Sequence, residues 1–192
     1  MIPLSIPLTL ASNSPRRQQL LHELGFHFEV EVRPTDEQFP TNIPTTDVAG
    51  FLAQQKAAQF QADLSNRLVL CADTIVIIGH EILNKPANEM EAKAMLQKLS
   101  GRTHEVVTGI CLLGESGFQT LHDIAKVTFN PLTDSEIEYY IAHYQPFDKA
   151  GGYGIQEWIG MMGISRIEGS FYTIMGLPLH LVYQLLSPYI RL

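Results

Sequence analysis

Apolar residues along the chain fall into two kinds of run, short unbroken stretches of strand length and stretches spaced at three and four, and the predicted elements follow from where each lies. Ile6-Pro7-Leu8-Thr9-Leu10-Ala11 predicts a short buried strand. Ser14 then suits an N-cap and Pro15 a first helical position, while Leu20, Leu21 and Leu24 share one face before Gly25 stops the helix. Phe28-Glu29-Val30-Glu31-Val32 alternates apolar and charged residues as a half-exposed strand does, and leads into the acidic loop Thr35-Asp36-Glu37. Thr46-Asp47 opens a predicted helix through Phe51, Leu52, Ala57, Ala58 and Phe60, with Lys56 in its middle. The most buried-looking strand, Leu68-Val69-Leu70-Cys71-Ala72, runs into Asp73-Thr74 before Ile75-Val76-Ile77-Ile78.

Gly79-His80 reads as a turn, and Ile82-Leu83-Asn84-Lys85-Pro86 leads to a helix over residues 88–100 that carries a capping-box pattern in Asn88 and Glu91 and stops at Gly101. Strand-like runs over 104–113 and 118–129, separated by Glu115-Ser116-Gly117, predict a hairpin. A second capping box, Thr133 with Glu136, starts a helix through Tyr139, Tyr140 and His143. The glycine-rich loop over 148–156 follows, and Pro178 opens a closing helix through Leu181, Val182, Leu185 and Leu186. Strands and helices alternate early while the middle hairpin is antiparallel, so the fold class is α/β, a mixed sheet with helices packed on it.

At 192 residues and 45% hydrophobic content the chain can bury one substantial core, as one domain or two closely joined lobes. Its longest apolar runs are of strand length and its start lacks a basic segment followed by an apolar one, so neither a membrane span nor a secretory signal is expected. Cys71 and Cys111 lie inside apolar runs with no Cys or His at metal-ligand spacing, as buried thiols in a reducing cytoplasm would. The net charge of −7 disfavours a polymeric nucleic-acid partner, which needs a basic surface. A small anion would instead require a local cluster of Arg and Lys, helped by a metal ion.

Such a cluster is suggested by Ser12-Asn13-Ser14-Pro15-Arg16-Arg17. Two arginines at a helix N-terminus oppose the macrodipole at a cost of about 0.3–1 kcal/mol each unless an anion offsets them. Backbone N–H groups, the hydroxyls of Ser12 and Ser14 and forked guanidinium donors would together cradle a phosphate; the plainer alternative is arginines leaning back to Glu23 or another carboxylate. Asp73 is the strongest catalytic candidate, because a carboxylate desolvated at a strand end needs a cation or donors to compensate it. Glu37 could join it in holding Mg²⁺, which takes one or two carboxylates together with nucleotide phosphates. A structural acid at Asp73 and a solvated loop acid at Glu37 are the alternatives. Lys56 and Lys85 are candidate phosphate-binding charges or ordinary surface lysines. The seven histidines include no His-Glu-x-x-His, and neither a Walker A loop nor Gly-x-Ser-x-Gly is present, which disfavours a zinc hydrolase, a P-loop NTPase and acyl transfer.

Taken together, Leu10-Ala11-Ser12-Asn13-Ser14-Pro15-Arg16-Arg17, Ala72-Asp73-Thr74, Asn84-Lys85-Pro86, Leu99-Ser100-Gly101-Arg102-Thr103-His104, Lys149-Ala150-Gly151-Gly152-Tyr153-Gly154-Ile155-Gln156 and Gly176-Leu177-Pro178-Leu179 resemble the Maf family of nucleotide pyrophosphatases. The blocks occur in order over almost the entire chain. The resemblance implies a single domain over 1–192, a mixed twisted sheet with flanking helices and two lobes around a central cleft, related to the inosine-triphosphate pyrophosphatases. It also implies hydrolysis of a nucleoside triphosphate to monophosphate and pyrophosphate, a divalent cation (Mg²⁺ or Mn²⁺), a cytoplasmic location and frequent homodimers. The Gly-Tyr-Gly-Ile-Gln block resembles the branch acting on dTTP and UTP, with 7-methyl-GTP or another purine nucleotide as the nearest rival substrate and a nucleotide-binding regulator of cell division as the rival of another class.

By motif, the resemblance assigns Arg16, Thr74 and Gln156 to base selection, Asp73 to catalysis, and Arg17, Glu37, Lys56 and Lys85 to phosphate or metal. Asn84 departs from the glycine usual before Lys-Pro, and residues 157–163 are unlike the commoner family sequence. The base assignment has a chemical logic: a glutamine amide meets the carbonyl and N–H edge of thymine or uracil, and an arginine, which only donates, favours a carbonyl over the amino group of cytosine. A single 5-methyl group is worth only about 1–3 kcal/mol, so dTTP and UTP are expected together. An aspartate beside a metal and arginines is a weak base, which favours Asp73 as a metal ligand; water on such a metal is itself acidified, so a weak acceptor such as Asp73 or Glu37 suffices for attack at the α-phosphorus.

Overall fold

The computed structural model describes residues 1–191. The chain forms strands β1 (Leu8–Leu10), β2 (Glu29–Val30), β3 (Leu68–Ile78), β4 (Glu81–Leu83), β5 (Thr103–Gly114), β6 (Gly117–Phe129) and β7 (Ile164–Glu168). Its helices are α1 (Pro15–Glu23), α2 (Val48–Ala58), α3 (Glu89–Leu99), α4 (Asp134–Tyr144), α5 (Trp158–Gly163), α6 (Phe171–Ile174) and α7 (Leu179–Leu186). The strand order is β2-β1-β3-β5-β6-β7, with β4 also paired to β3. The sheet is mixed: β1 pairs in parallel with β2 and β3, whereas β3 with β4 and β6 with β7 are antiparallel.

Two compact units divide the chain, the first comprising Met1–Asp73, Thr108–Asp123 and the chain from Gly176 onward, the second Thr74–Val107 and Ile124–Met175. In the first unit, the α1 and α2 connections return the chain parallel to β1, as such crossovers must. Leu8 and Leu10 of β1 stand opposite Leu68 and Leu70 of β3. Ala53, Ala57 and Phe60 pack with Val69, Cys71, Cys111 and Leu113. Gly109 of β5 passes so close to the backbone of Ala49 and Gly50 in α2 that no Cβ fits there. Cys71 and Cys111 are buried and unbridged, and burial pushes the Cys71 thiol up to about 12, which leaves it inert.

The second unit closes its core around Leu96 and Leu99 of α3, Ile137 and Tyr140 of α4, Phe129, Tyr153 and Ile159. Two devices predicted from sequence hold its helices. Thr133 and Glu136 form the complete capping box at α4, while at α3 the box is altered: Asn88 accepts the Glu91 N–H at 3.0 Å, and the Glu91 carboxylate accepts from the Ala87 N–H at 2.9 Å and the Asn88 side-chain amide at 3.4 Å.

Several expectations are corrected. The strand over 28–32 shrinks to the two residues of β2, both exposed, so its alternation had little core to face. Thr46-Asp47 lies in a 3-10 turn, Thr45–Asp47, ahead of α2. Residues 68–78 are one unbroken strand, which places Asp73 within β3 instead of at its end. β7, α5 and α6 were not anticipated; β7 is an exposed strand whose pattern carries almost no burial signal. Among the described residues no helix is long and apolar enough to cross a membrane.

Candidate active site

Asp73 and Thr74 are the two half-buried residues of an otherwise buried β3. Asp73 belongs to the first unit, where Lys56, on the last turn of α2, places its Nζ 2.5 Å from Asp73 Oδ1 and 3.0 Å from Glu37 Oε1. The side chains of Asp73 and Lys56 are 13% and 20% exposed, and that of Glu37 is 55% exposed. Residues far apart in sequence therefore converge on the Lys56 ammonium.

Arg17 answers why positive charge stands at the start of α1. Its Nη1 donates to the Ala72 carbonyl at 2.9 Å, directly before Asp73, and its Nε donates to the Gly176 carbonyl at 2.8 Å. Glu23, the acid nearest in sequence, accepts from Gln19 at 2.7 Å. Burial lowers the Arg17 pKa, Asp73 opposes that shift and Arg16 adds to it, so these charges share one field. A guanidinium stays charged throughout. Gly176, in a sequence block to which no role had been attached, thus supplies an anchor for Arg17. The missed signal was the block itself.

Ser12 is buried, and its Oγ accepts the Ser14 N–H at 3.2 Å. Ser14 stands at the N-cap with extended backbone, but its side chain makes no capping bond, a correction to the predicted cap. The turn is held instead from Ser12, whose carbonyl also accepts from Gln18 at 3.1 Å. Arg16 is half-buried.

Thr74, Lys85 and Gln156 belong to the second unit. Lys85 and Gln156 are exposed. Asn84 needs no glycine: among the described residues the positive-φ non-glycine positions are Ser65, Asn66 and Gln145. Its carbonyl accepts the Gly151 N–H at 3.1 Å, tying the segment that bears Lys85 to the glycine-rich loop that bears Gln156. Sequence reading missed the side chains beneath that loop, Tyr140, Lys149 and Glu157, although Lys149 heads the quoted block.

The donor set at Asp73 suits a divalent cation. The Lys56 ammonium marks a position that both carboxylates already face, and Mg²⁺ characteristically takes one or two carboxylates and completes its shell with phosphate and water. Among the described residues no group of three or more His, Cys, Asp or Glu could hold a metal ion alone.

An α/β protein that gathers carboxylates, a lysine and arginines around a central strand is built to handle a small, strongly anionic ligand. Residues 7–189 match the family described as Maf-like protein, and the chain belongs to the Maf family. It is 42% identical to a dTTP/UTP pyrophosphatase of Flavobacterium johnsoniae, over 94% of this chain and 93% of that one. Similar relatives are dTTP/UTP pyrophosphatases of Flavobacterium psychrophilum, 45% identical over 92% of this chain and 91% of that one, and of Porphyromonas gingivalis W83, 45% identical over 95% and 94%.

Proposed function

We propose that this protein hydrolyses dTTP and UTP to the nucleoside monophosphate and pyrophosphate, with residues 1–192 acting as one catalytic domain. The observation that carries the reading is the convergence of Asp73 and Glu37 on Lys56 beside the Arg17 anchor, in a chain so similar along its length to dTTP/UTP pyrophosphatases.

Asp73 and Glu37 would hold a divalent cation, Mg²⁺ or Mn²⁺. When bound, such a cation offsets phosphate charge and acidifies a coordinated water. Asp73, half-buried and fixed by β3, orients the attacking water toward the α-phosphorus and accepts a hydrogen bond from it. Lys56 follows the charge: its ammonium, paired with two carboxylates in the protein alone, is placed to donate to phosphate oxygens as negative charge moves onto the leaving pyrophosphate. Arg17 and Lys85 share that task, and Ser12 and Ser14 with the first turn of α1 bind phosphate oxygens. Arg16, Thr74 and Gln156 select the base, rewarding the carbonyl pattern of thymine and uracil. The protein is proposed to work in the cytoplasm as a homodimer, a state that sedimentation measures.

The deciding measurement is pyrophosphate release from a panel of dTTP, UTP, CTP, 7-methyl-GTP and ITP with Mg²⁺ or Mn²⁺. Release from dTTP and UTP above the others is expected; a ranking led by a purine overturns the substrate assignment. Hydrolysis in ¹⁸O-labelled water should label the monophosphate, and label in pyrophosphate would reject attack at the α-phosphorus.

A further inference from the structure

Within the glycine-rich loop, residues 151–155 are buried and Gln156 is exposed before half-buried Glu157. Gly154-Ile155-Gln156-Glu157 is a β-turn, closed by the Glu157 N–H donating to the Gly154 carbonyl at 3.0 Å. Both ends of this turn are tied to one phenol. The Gly154 N–H donates to Tyr140 Oη at 3.0 Å, and the Tyr140 hydroxyl in turn donates to Glu157 Oε2. Tyr140 is fully buried in α4, and burial together with Glu157 raises its pKa, so the phenol keeps the proton that it donates.

The other oxygen of Glu157 is also engaged. Oε1 lies 3.1 Å from Lys149 Nζ, which pairs with Asp148 at 2.6 Å. The side chains of Lys149 and Glu157 are only 9% and 18% exposed. Glu157 occupies the N-cap of α5 yet makes no capping bond, because its carboxylate is turned inward to these partners. A Cβ on Gly154 would lie 2.7 Å from the Glu157 carboxyl carbon, so glycine there leaves the space that this carboxylate occupies. At the far side Gly160 packs α5 against the Ile155 carbonyl, where no Cβ fits.

Burying an ammonium and a carboxylate is a poor way to gain stability compared with apolar packing, whereas it fixes one geometry well. What this arrangement fixes is the turn whose single exposed side chain is Gln156. We propose that Glu157, with Tyr140 and Lys149, is a positioning residue for base selection, holding the Gly154–Glu157 turn so that the Gln156 amide meets the pyrimidine 4-carbonyl. The inference deepens the function proposed above and rests on Gln156 as a base-selecting residue.

The test compares Tyr140→Phe, Glu157→Gln and Gln156→Ala in the full chain. Their kcat and KM for dTTP and CTP are measured, together with amide exchange at Gly154. Losing a hydrogen bond of ordinary strength corresponds to about tenfold. Tyr140→Phe and Glu157→Gln are expected to raise KM for dTTP by about that factor, to change kcat by less than about threefold, and to move the preference for dTTP over CTP toward that of Gln156→Ala. Gly154 exchange should accelerate about tenfold in Tyr140→Phe, a readout independent of which nucleotide is the substrate. Should Glu157→Gln not fold, Tyr140→Phe decides, since the hydroxyl that it removes joins both ends of the turn. An unaltered preference in the two positioning variants, with Gln156→Ala relaxed, overturns the positioning role alone, as does unaltered Gly154 exchange. A preference unchanged in Gln156→Ala overturns the base-selection reading and this inference with it.

Discussion

Lys56 and Lys149 each stand between two carboxylates, and the two clusters do opposite work. Lys56 joins Glu37 and Asp73 at 3.0 and 2.5 Å, and its own side chain is 20% exposed. Lys149 joins Asp148 and Glu157 at 2.6 and 3.1 Å, is itself buried, and shares Glu157 with the Tyr140 phenol. The first cluster draws acids from a loop and a strand onto a helix and is the one to which the proposed function gives the ligand. The second spends its charge on the backbone turn beside it. Charge type alone therefore does not define a reactive site; what the charged groups bond besides one another does.

The comparison breaks most sharply at Asp73. Asp73→Asn is expected to lower turnover by about 10³-fold or more while calorimetry still detects nucleotide and thermal unfolding is little changed. Near-normal turnover would remove Asp73 from the chemistry.

Next in size is a contrast between the two lysines. Lys149→Met strands a largely buried Glu157 and should cost about 3 kcal/mol in urea unfolding. Lys56→Met strands Asp73, whose side chain is 13% exposed against 18% for Glu157, and should cost up to about 3 kcal/mol as well, but it should in addition lower kcat/KM about 100-fold. A fall in kcat in Lys149→Met as large as that in Lys56→Met would erase the distinction.

The loop's setting also predicts a pH dependence. His104 is buried against Phe129 and Tyr153, with Nε2 2.7 Å from the Tyr153 hydroxyl, and burial lowers its pKa from 6.5 to about 4. The unfolded chain takes up this proton first as pH falls, so the contribution is complete above about pH 6.5 and is lost progressively toward about pH 4, about 3 kcal/mol in all. Unfolding free energies across that window should show this slope in the parent and a shallower one in His104→Gln.

The smallest contrast concerns helix starts. Thr133→Ala removes a complete capping box and should cost about 1 kcal/mol, whereas Ser14→Ala, at a cap whose side chain makes no capping bond, should cost less than about 0.5 kcal/mol. Matching losses by chemical denaturation would contradict the difference in geometry.

Much of this architecture was legible locally. The α4 capping box, the β5–β6 hairpin and the buried strand through Asp73 follow from turn chemistry and hydrophobic runs, which act over a few residues. The convergence of Glu37 on Lys56 was not derivable from spacing, since loop, helix and strand contribute one group each. Arg17 shows the same limit in another form: the macrodipole argument marked its charge as needing an anion, and no spacing gave the two backbone carbonyls, one more than 150 residues away, to which its guanidinium donates. β7 escaped because an exposed edge strand owes its existence to the neighbour with which it pairs.

By itself the chain determined its element types, its acidic balance, its ordered blocks and the residue kinds able to grip a phosphate, because propensity, patterning and charge belong to short stretches. Only the tertiary structure decided that Asp73 lies within a continuous strand, that Lys56 bridges two acids, and that Glu157 turns inward to hold the Gln156 turn. Those facts depend on packing between distant segments, where burial and the geometry of donors and acceptors decide which charges stay available for chemistry and which are consumed by the fold.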